Sequence, residues 1–118
     1  MHMKHIYSIV ILLFLVCLPS AGMDMSVDSL NLLKTQADSA YANEDFGGAE
    51  RIYLQLAEQG ESAVVCYNLG CTYYRQDNIA KAVLWFERAA QLDPSDDDIR
   101  FNLAMARGKT TDRIIPRH

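Results

Sequence analysis

The sequence predicts an all-α chain of stacked helical hairpins, and three observations carry that reading. Sliding the chain against itself by 33 positions sets Ala37 on Gly70, Tyr41 on Tyr74, Ala49 on Ala82, Tyr53 on Phe86 and Ala57 on Ala90. A shift of 34 sets Val65 on Ile99, Tyr67 on Phe101, and Asn68-Leu69-Gly70 on Asn102-Leu103-Ala104. Repeats of this length mark two-helix units that stack. Within each unit the apolar spacing is helical: Cys66, Leu69, Gly70 and Tyr73 follow i, i+3, i+4, i+7, and Ala82, Phe86, Ala89 and Ala90 follow i, i+4, i+7, i+8.

These patterns predict helices near 28–43, 46–59, 63–76, 79–92 and 96–107. Local signals set their ends. Asp45 can cap the second helix, Ser62 the third, Asp77 or Asn78 the fourth and Ser95 the fifth, where Asp96, Asp97 and Asp98 also complement the positive helix start. Gly60 and Gly108 suit left-handed stops after the second and fifth helices, and Pro94 prevents the fourth from continuing. The result is two hairpins, about 28–60 and 62–94, and a lone helix 96–107 whose inner face covers the second hairpin as a cap.

The 118 residues, half of them hydrophobic, allow one modest domain with a packed core. Part of the apolar content lies elsewhere. Lys4, the apolar run from Ile6 to Leu18 and the small residues Ser20-Ala21-Gly22 read as a secretory signal peptide, residues 1–22, cut after Gly22. The run is shorter than the ~20 residues of a spanning helix, so an uncleaved anchor is the lesser alternative. A lipid anchor on Cys17 is disfavoured by Val16 before it. Export is therefore expected, to the periplasm or the inner-membrane surface. Removing residues 1–22 leaves ten basic against fifteen acidic side chains, a balance that argues against nucleic acid. A basic tail, 109–118, reads first as a solvated frayed end, with contact to an acidic partner or anionic lipid as the lesser alternative.

Catalytic constellations are missing from the sequence. His2, His5 and His118 lie outside the helical region, which weakens Cys/His nucleophile and common metal-site readings, so neither metal nor cofactor is expected. Gly47 and Gly48 are not followed by the Lys and Ser/Thr of a phosphate loop. Cys66 and Cys71 are the one pair with chemical potential. Five residues apart on one helix, they face about 140° apart and cannot bridge without unwinding it. A thiol redox protein using both remains an alternative reading, although their spacing is not Cys-x-x-Cys.

The segment Cys66 to Pro94 resembles a tetratricopeptide repeat, with Leu69, Gly70, Tyr73, Ala82, Phe86, Ala89 and Pro94 in signature slots and Cys66 where an aromatic is commonest. The first hairpin is a poorer match, since Gln36 and Leu56 depart from the usual Leu and Ala and Gly60 replaces the closing Pro. The resemblance implies a right-handed superhelical array. A closer likeness lies in the signal, the phrase Tyr67-Asn68-Leu69-Gly70, the run from Leu92 to Leu103 and the trailing Lys109 to Ile114. Together these resemble the N-terminal region of BatE-type proteins of bacterial aerotolerance operons. That family's further membrane helices are not present in the 118 residues, so its membrane attachment is not carried over.

In tetratricopeptide arrays the first helix of each hairpin lines a concave surface that receives a peptide or partner helix. Mapped by position, that surface comprises Asn31, Lys34, Asp38 and Tyr41, then Tyr67, Asn68, Cys71, Tyr74 and Arg75, then Phe101, Asn102 and Met105. Asn68 and Asn102 occupy equivalent slots from which they could hydrogen-bond a bound backbone. The sequence thus leads to a non-catalytic, exported protein-interaction module with a protein or peptide partner from an envelope complex, and no nucleic acid or small-molecule substrate. A self-assembling adaptor, stacking through helix 96–107, is the other binding alternative.

Overall fold

The computed structural model describes residues 25–114. Over them the chain runs through α1 (Val27–Ala42), α2 (Phe46–Glu58), α3 (Ala63–Arg75), α4 (Ile79–Leu92) and α5 (Asp97–Ile114), with no strand among the described residues. The signal-like segment 1–22 and the end of the basic tail lie outside them. None of the described helices is long and apolar enough to cross a membrane.

Each helix start has a side-chain acceptor for an otherwise unpaired N–H. Ser26 accepts from Ser29, Asp45 from Gly48, Ser62 from Val65 and Asn78 from Lys81. For α5 the cap is Asp96, whose Oδ1 accepts from the Ile99 N–H at 3.0 Å, and not Ser95, whose hydroxyl turns to Asp93. A β-carbon on Gly48 would lie 2.3 Å from Asp45 Oδ2, so the glycine makes room for the cap.

The turns inside the two hairpins are identical in build. Glu44 and Asp77, 33 residues apart, take left-handed backbone at φ 62° and 63°. Asp45 N–H then reaches back to the Ala40 carbonyl at 2.8 Å, and Asn78 N–H to Tyr73 at 2.9 Å. This is the Schellman arrangement. In both turns the residue that closes one helix also caps the next. Gly60 follows α2 with a positive φ of 158°, a conformation that favours glycine, but not in the αL form of a left-handed stop. The last turn of α2 tightens through Gln59 N–H to Leu56 and Gly60 N–H to Ala57.

Packing follows chain order, each helix meeting the next: α1 on α2, α2 on α3, α3 on α4 and α4 on α5. Small residues of the first helices meet large ones of the second, with Ala37, Ala49, Tyr53, Leu69, Tyr73, Ala82 and Phe86 all buried in one core. Burying each large apolar side chain contributes about 1.5–3 kcal/mol. The inner face of α5, Ile99, Leu103 and Ala106, completes the core over the second hairpin. Between hairpins, the Tyr73 hydroxyl donates to Glu50 at 3.1 Å, and the Gln76 amide to the other Glu50 oxygen at 2.9 Å.

The lone helix is longer than expected. Gly108 does not end it; α5 continues to Ile114, and residues 109–114 are helix, not a frayed tail. Tertiary contacts outweigh the roughly 1 kcal/mol cost of an interior glycine. Arg107 reaches Glu87 of α4 at 3.0 Å, and the Lys109 ammonium sits 5.1 Å from the centre of the Tyr74 ring.

Candidate functional site

The direction of α1 and α3 determines the groove. Lys34, Asp38 and Tyr41 from α1 face Val64, Tyr67, Asn68 and Cys71 from α3 across a hollow of about 460 Å³, and Tyr53 of α2 reaches it from beneath. Six of the twelve residues mapped from the sequence converge here: Lys34, Asp38, Tyr41, Tyr67, Asn68 and Cys71. Val64 and Tyr53 were not among the twelve. Val64 stands 33 residues after Asn31 and so shares its register; Tyr53 lies on a second helix, where packing is the expected role.

The remaining six are placed around the hollow. Asn31 lines an adjoining recess of about 260 Å³ with Leu56, Gln59 and Val65, and Lys34 belongs to both. Arg75 sits at the hairpin-turn end, its guanidinium 4.7 Å from the Phe46 ring centre, 6.0 Å from that of Tyr41 and 3.4 Å from Glu44. Tyr74 lies under Lys109. Phe101 and Met105 form an open apolar flank on α5, 69% and 37% exposed. Asn102 joins that flank to the groove: its amide donates to the Tyr67 hydroxyl at 3.2 Å and to the Asp98 carbonyl at 2.8 Å. Both of its N–H groups are thus engaged internally, so of the two asparagines in equivalent slots Asn68 is the one able to offer its amide to a bound backbone.

Lys34 and Tyr53 hold Asp38 from two sides, the ammonium at 2.7 Å and the Tyr53 hydroxyl donating to the other oxygen. Partial burial pulls the Asp38 carboxyl upward, but these two hydrogen bonds prevail and its pKa is lowered. Burial, then the hydrogen bond to Asp38 and its charge, push the Tyr53 phenol well above the usual range. Burial also raises Tyr67 to about 12, with Cys71 beside it adding to the effect.

The two cysteines among the described residues are free thiols, Cys66 in the core and Cys71 at the groove. Burial raises both pKa values, and the Tyr67 hydroxyl only partly offsets this for Cys71. Little thiolate is available at neutral pH, the reverse of what a nucleophilic cysteine requires. Among the described residues no group of three or more His, Cys, Asp or Glu side chains is placed to hold a metal ion. The arrangement offers aromatic surface, one neutralised ion pair and a free amide, which are means of holding a protein segment.

Comparison with known proteins agrees with this architecture. The tetratricopeptide repeat family model matches residues 63–96. Intraflagellar transport protein 70A from Xenopus tropicalis and that from Xenopus laevis are each 31% identical over 85 residues, 71% of this chain. The chain spans only 13% of the length of these curated relatives. The crystal structure of the Sgt2 tetratricopeptide domain from Aspergillus fumigatus superposes with a TM-score of 0.68, covering 77% of this chain and 60% of that one. At 22% identity that likeness shows the fold alone. Sequence match and shape together establish that the chain carries a tetratricopeptide repeat, residues 63–96, within an all-helical array of the same kind.

Proposed function

We propose that the chain is a non-catalytic protein-interaction module whose concave groove receives a segment of a partner protein. The observation that carries this is the hollow between α1 and α3, where Tyr41, Tyr67, Asn68 and Cys71 are brought together on the face that tetratricopeptide domains use for partners. Aromatic residues, Met and Arg are enriched at interface centres, and the surface continues onto Phe101 and Met105. Export, with a partner in an envelope complex and a role like that of BatE-type aerotolerance proteins, is the finer part of the proposal. It rests on the signal-like residues 1–22 and on the phrases that resemble that family.

Crosslinked capture with the tagged full chain tests the binding role. The native chain should recover a discrete partner set that is lost on Asn68→Arg with Met105→Arg, changes at a half-buried and an exposed position whose effect on folding is controlled by thermal melting. Identical partner sets from both forms overturn the groove. Export is tested separately by fractionation, and a chain that stays in the cytoplasm with residues 1–22 uncut removes that part alone.

A further inference from the structure

The groove is graded in two directions. Across the helices, one register position holds Lys34, Tyr67 and Phe101 in turn, and the position four residues later holds Asp38, Cys71 and Met105. The face therefore passes from an ion pair, through a mixed surface, to exposed apolar side chains. Along the helices the charge changes sign. At the start of α5, Asp93, Asp96 and Asp98 rim a small hollow of about 110 Å³ floored by Val64, Tyr67 and Ile99. Asp96 is used as a cap and Asp93 accepts from Ser95, whereas Asp98 makes no ion pair among the described residues. At the other end stands Lys109, eleven residues beyond Asp98 and so about 16 Å away along the helix axis, its ammonium over the Tyr74 ring, whereas Arg75 near that end is already paired with Glu44.

Hydrogen-bonding capacity distinguishes the forms a guest could take. An extended peptide must find partners for its backbone groups or leave them unpaired. In this groove the Tyr53 hydroxyl is committed to Asp38, Lys34 to the same carboxylate, and the Asn102 amide to Tyr67 and Asp98, so the free Asn68 amide would serve only a small part of an extended backbone. A helix satisfies its own backbone and asks the groove only for apolar contact and complementary charge. Three turns of helix span the distance from Asp98 to Lys109. Helices also favour acidic residues in the first turn and basic residues in the last, which matches this face in only one direction.

We infer that the groove takes an amphipathic helix lying antiparallel to α3 and α5, its acidic N-terminal turn at Lys109, its apolar stripe on Tyr67, Phe101 and Met105, and its basic C-terminal turn at Asp98. This rests on the proposal that the groove binds a protein segment, and it adds the segment's form, polarity and direction. The charges set orientation and approach more than affinity.

Selection from a displayed library of random peptides about 16 residues long, with the full chain as target, tests it. Enriched peptides should carry apolar residues at helical spacing, Asp or Glu in the first half and Lys or Arg in the second, and a synthetic member should gain helical circular dichroism on binding. Asp98→Lys should weaken that peptide by about threefold or more at low salt, while selection on the variant should yield acidic C-terminal halves. Asp98→Asn, a milder change, should weaken it less. Enriched peptides with the opposite charge order, or proline-containing extended binders, overturn this inference and leave the groove reading standing. Absence of enrichment, or enrichment indifferent to Asn68→Arg, overturns both.

Discussion

Gly70 of α3 lies against the ring of Phe86 of α4, so closely that a β-carbon on the glycine would stand 2.4 Å from the ring's Cδ1. Phe86 is itself 1% exposed and packed into the core. The approach of α3 to α4 at this point depends on that missing side chain.

Two alanine substitutions should therefore have opposite signs. Gly70→Ala gains helix propensity of about 1 kcal/mol but forces the Phe86 ring to move in a packed core, a cost of roughly 1–3 kcal/mol or more. It should lower stability in urea unfolding. Gly108→Ala, with nothing within 4 Å of its β-carbon, should raise stability by about 0.5–1 kcal/mol. Equal effects from the two would contradict the close approach.

Alkaline pH should unfold the chain through its buried phenols. Burial, then the hydrogen bond to Glu50, raise Tyr73 to about 12; Tyr67 reaches about 12, and Tyr53 is also raised. Above pH 10 the unfolded chain gives up these protons while the folded chain keeps them, so stability falls as pH climbs from about 10 through 12. Tyr73→Phe should reduce the slope of stability against pH by about one proton. On the acid side Asp38, whose pKa is lowered, contributes stability above the ordinary carboxylate range that is lost as pH falls through its folded value. Urea melts across pH with tyrosinate absorbance check both limbs.

The hairpins were readable in the sequence because each first helix carries a small residue and each second helix a large one at a fixed offset. The chain end was not. Gly108 looks like a stop when only local propensity is weighed, and what keeps α5 helical beyond it is distant in sequence: Tyr74 under Lys109 and Glu87 beside Arg107. The left-handed turns at Glu44 and Asp77 carry no glycine to mark them, and Asp77 reads as a cap instead, although the polar triplets Asn43-Glu44-Asp45 and Gln76-Asp77-Asn78 recur at the repeat offset. Half of the mapped groove residues converge because register alone fixes which way a helical residue faces. Arg75 is drawn aside by the Phe46 ring of the preceding hairpin, a contact between repeats that register does not encode.

The thiols should be slow. Burial raises both, and Cys66 lies in the core while Cys71 borders the groove. Alkylation of the native chain followed by mass spectrometry should label Cys71 before Cys66, with both reacting rapidly in denaturant. Rapid native labelling of Cys66 would revive a thiol-based function.

The outer face of α5 decides whether copies of the array stack end to end. In α3 the residues that pack beneath the following helix are Cys66, Gly70 and Tyr73, all buried. Thirty-four residues on, the same register holds Arg100, Ala104 and Arg107, all exposed, with Arg107 held by Glu87 and Arg100 beside Asp97. A further helix seated there would have to bury two guanidinium groups, which costs far more than the small apolar contact at Ala104 returns. The chain should therefore sediment as a monomer at all accessible concentrations, and Arg100→Leu with Arg107→Leu should convert it to a concentration-dependent associating species. A native chain that associates as concentration rises would show that copies meet through another surface and restore the self-assembling adaptor.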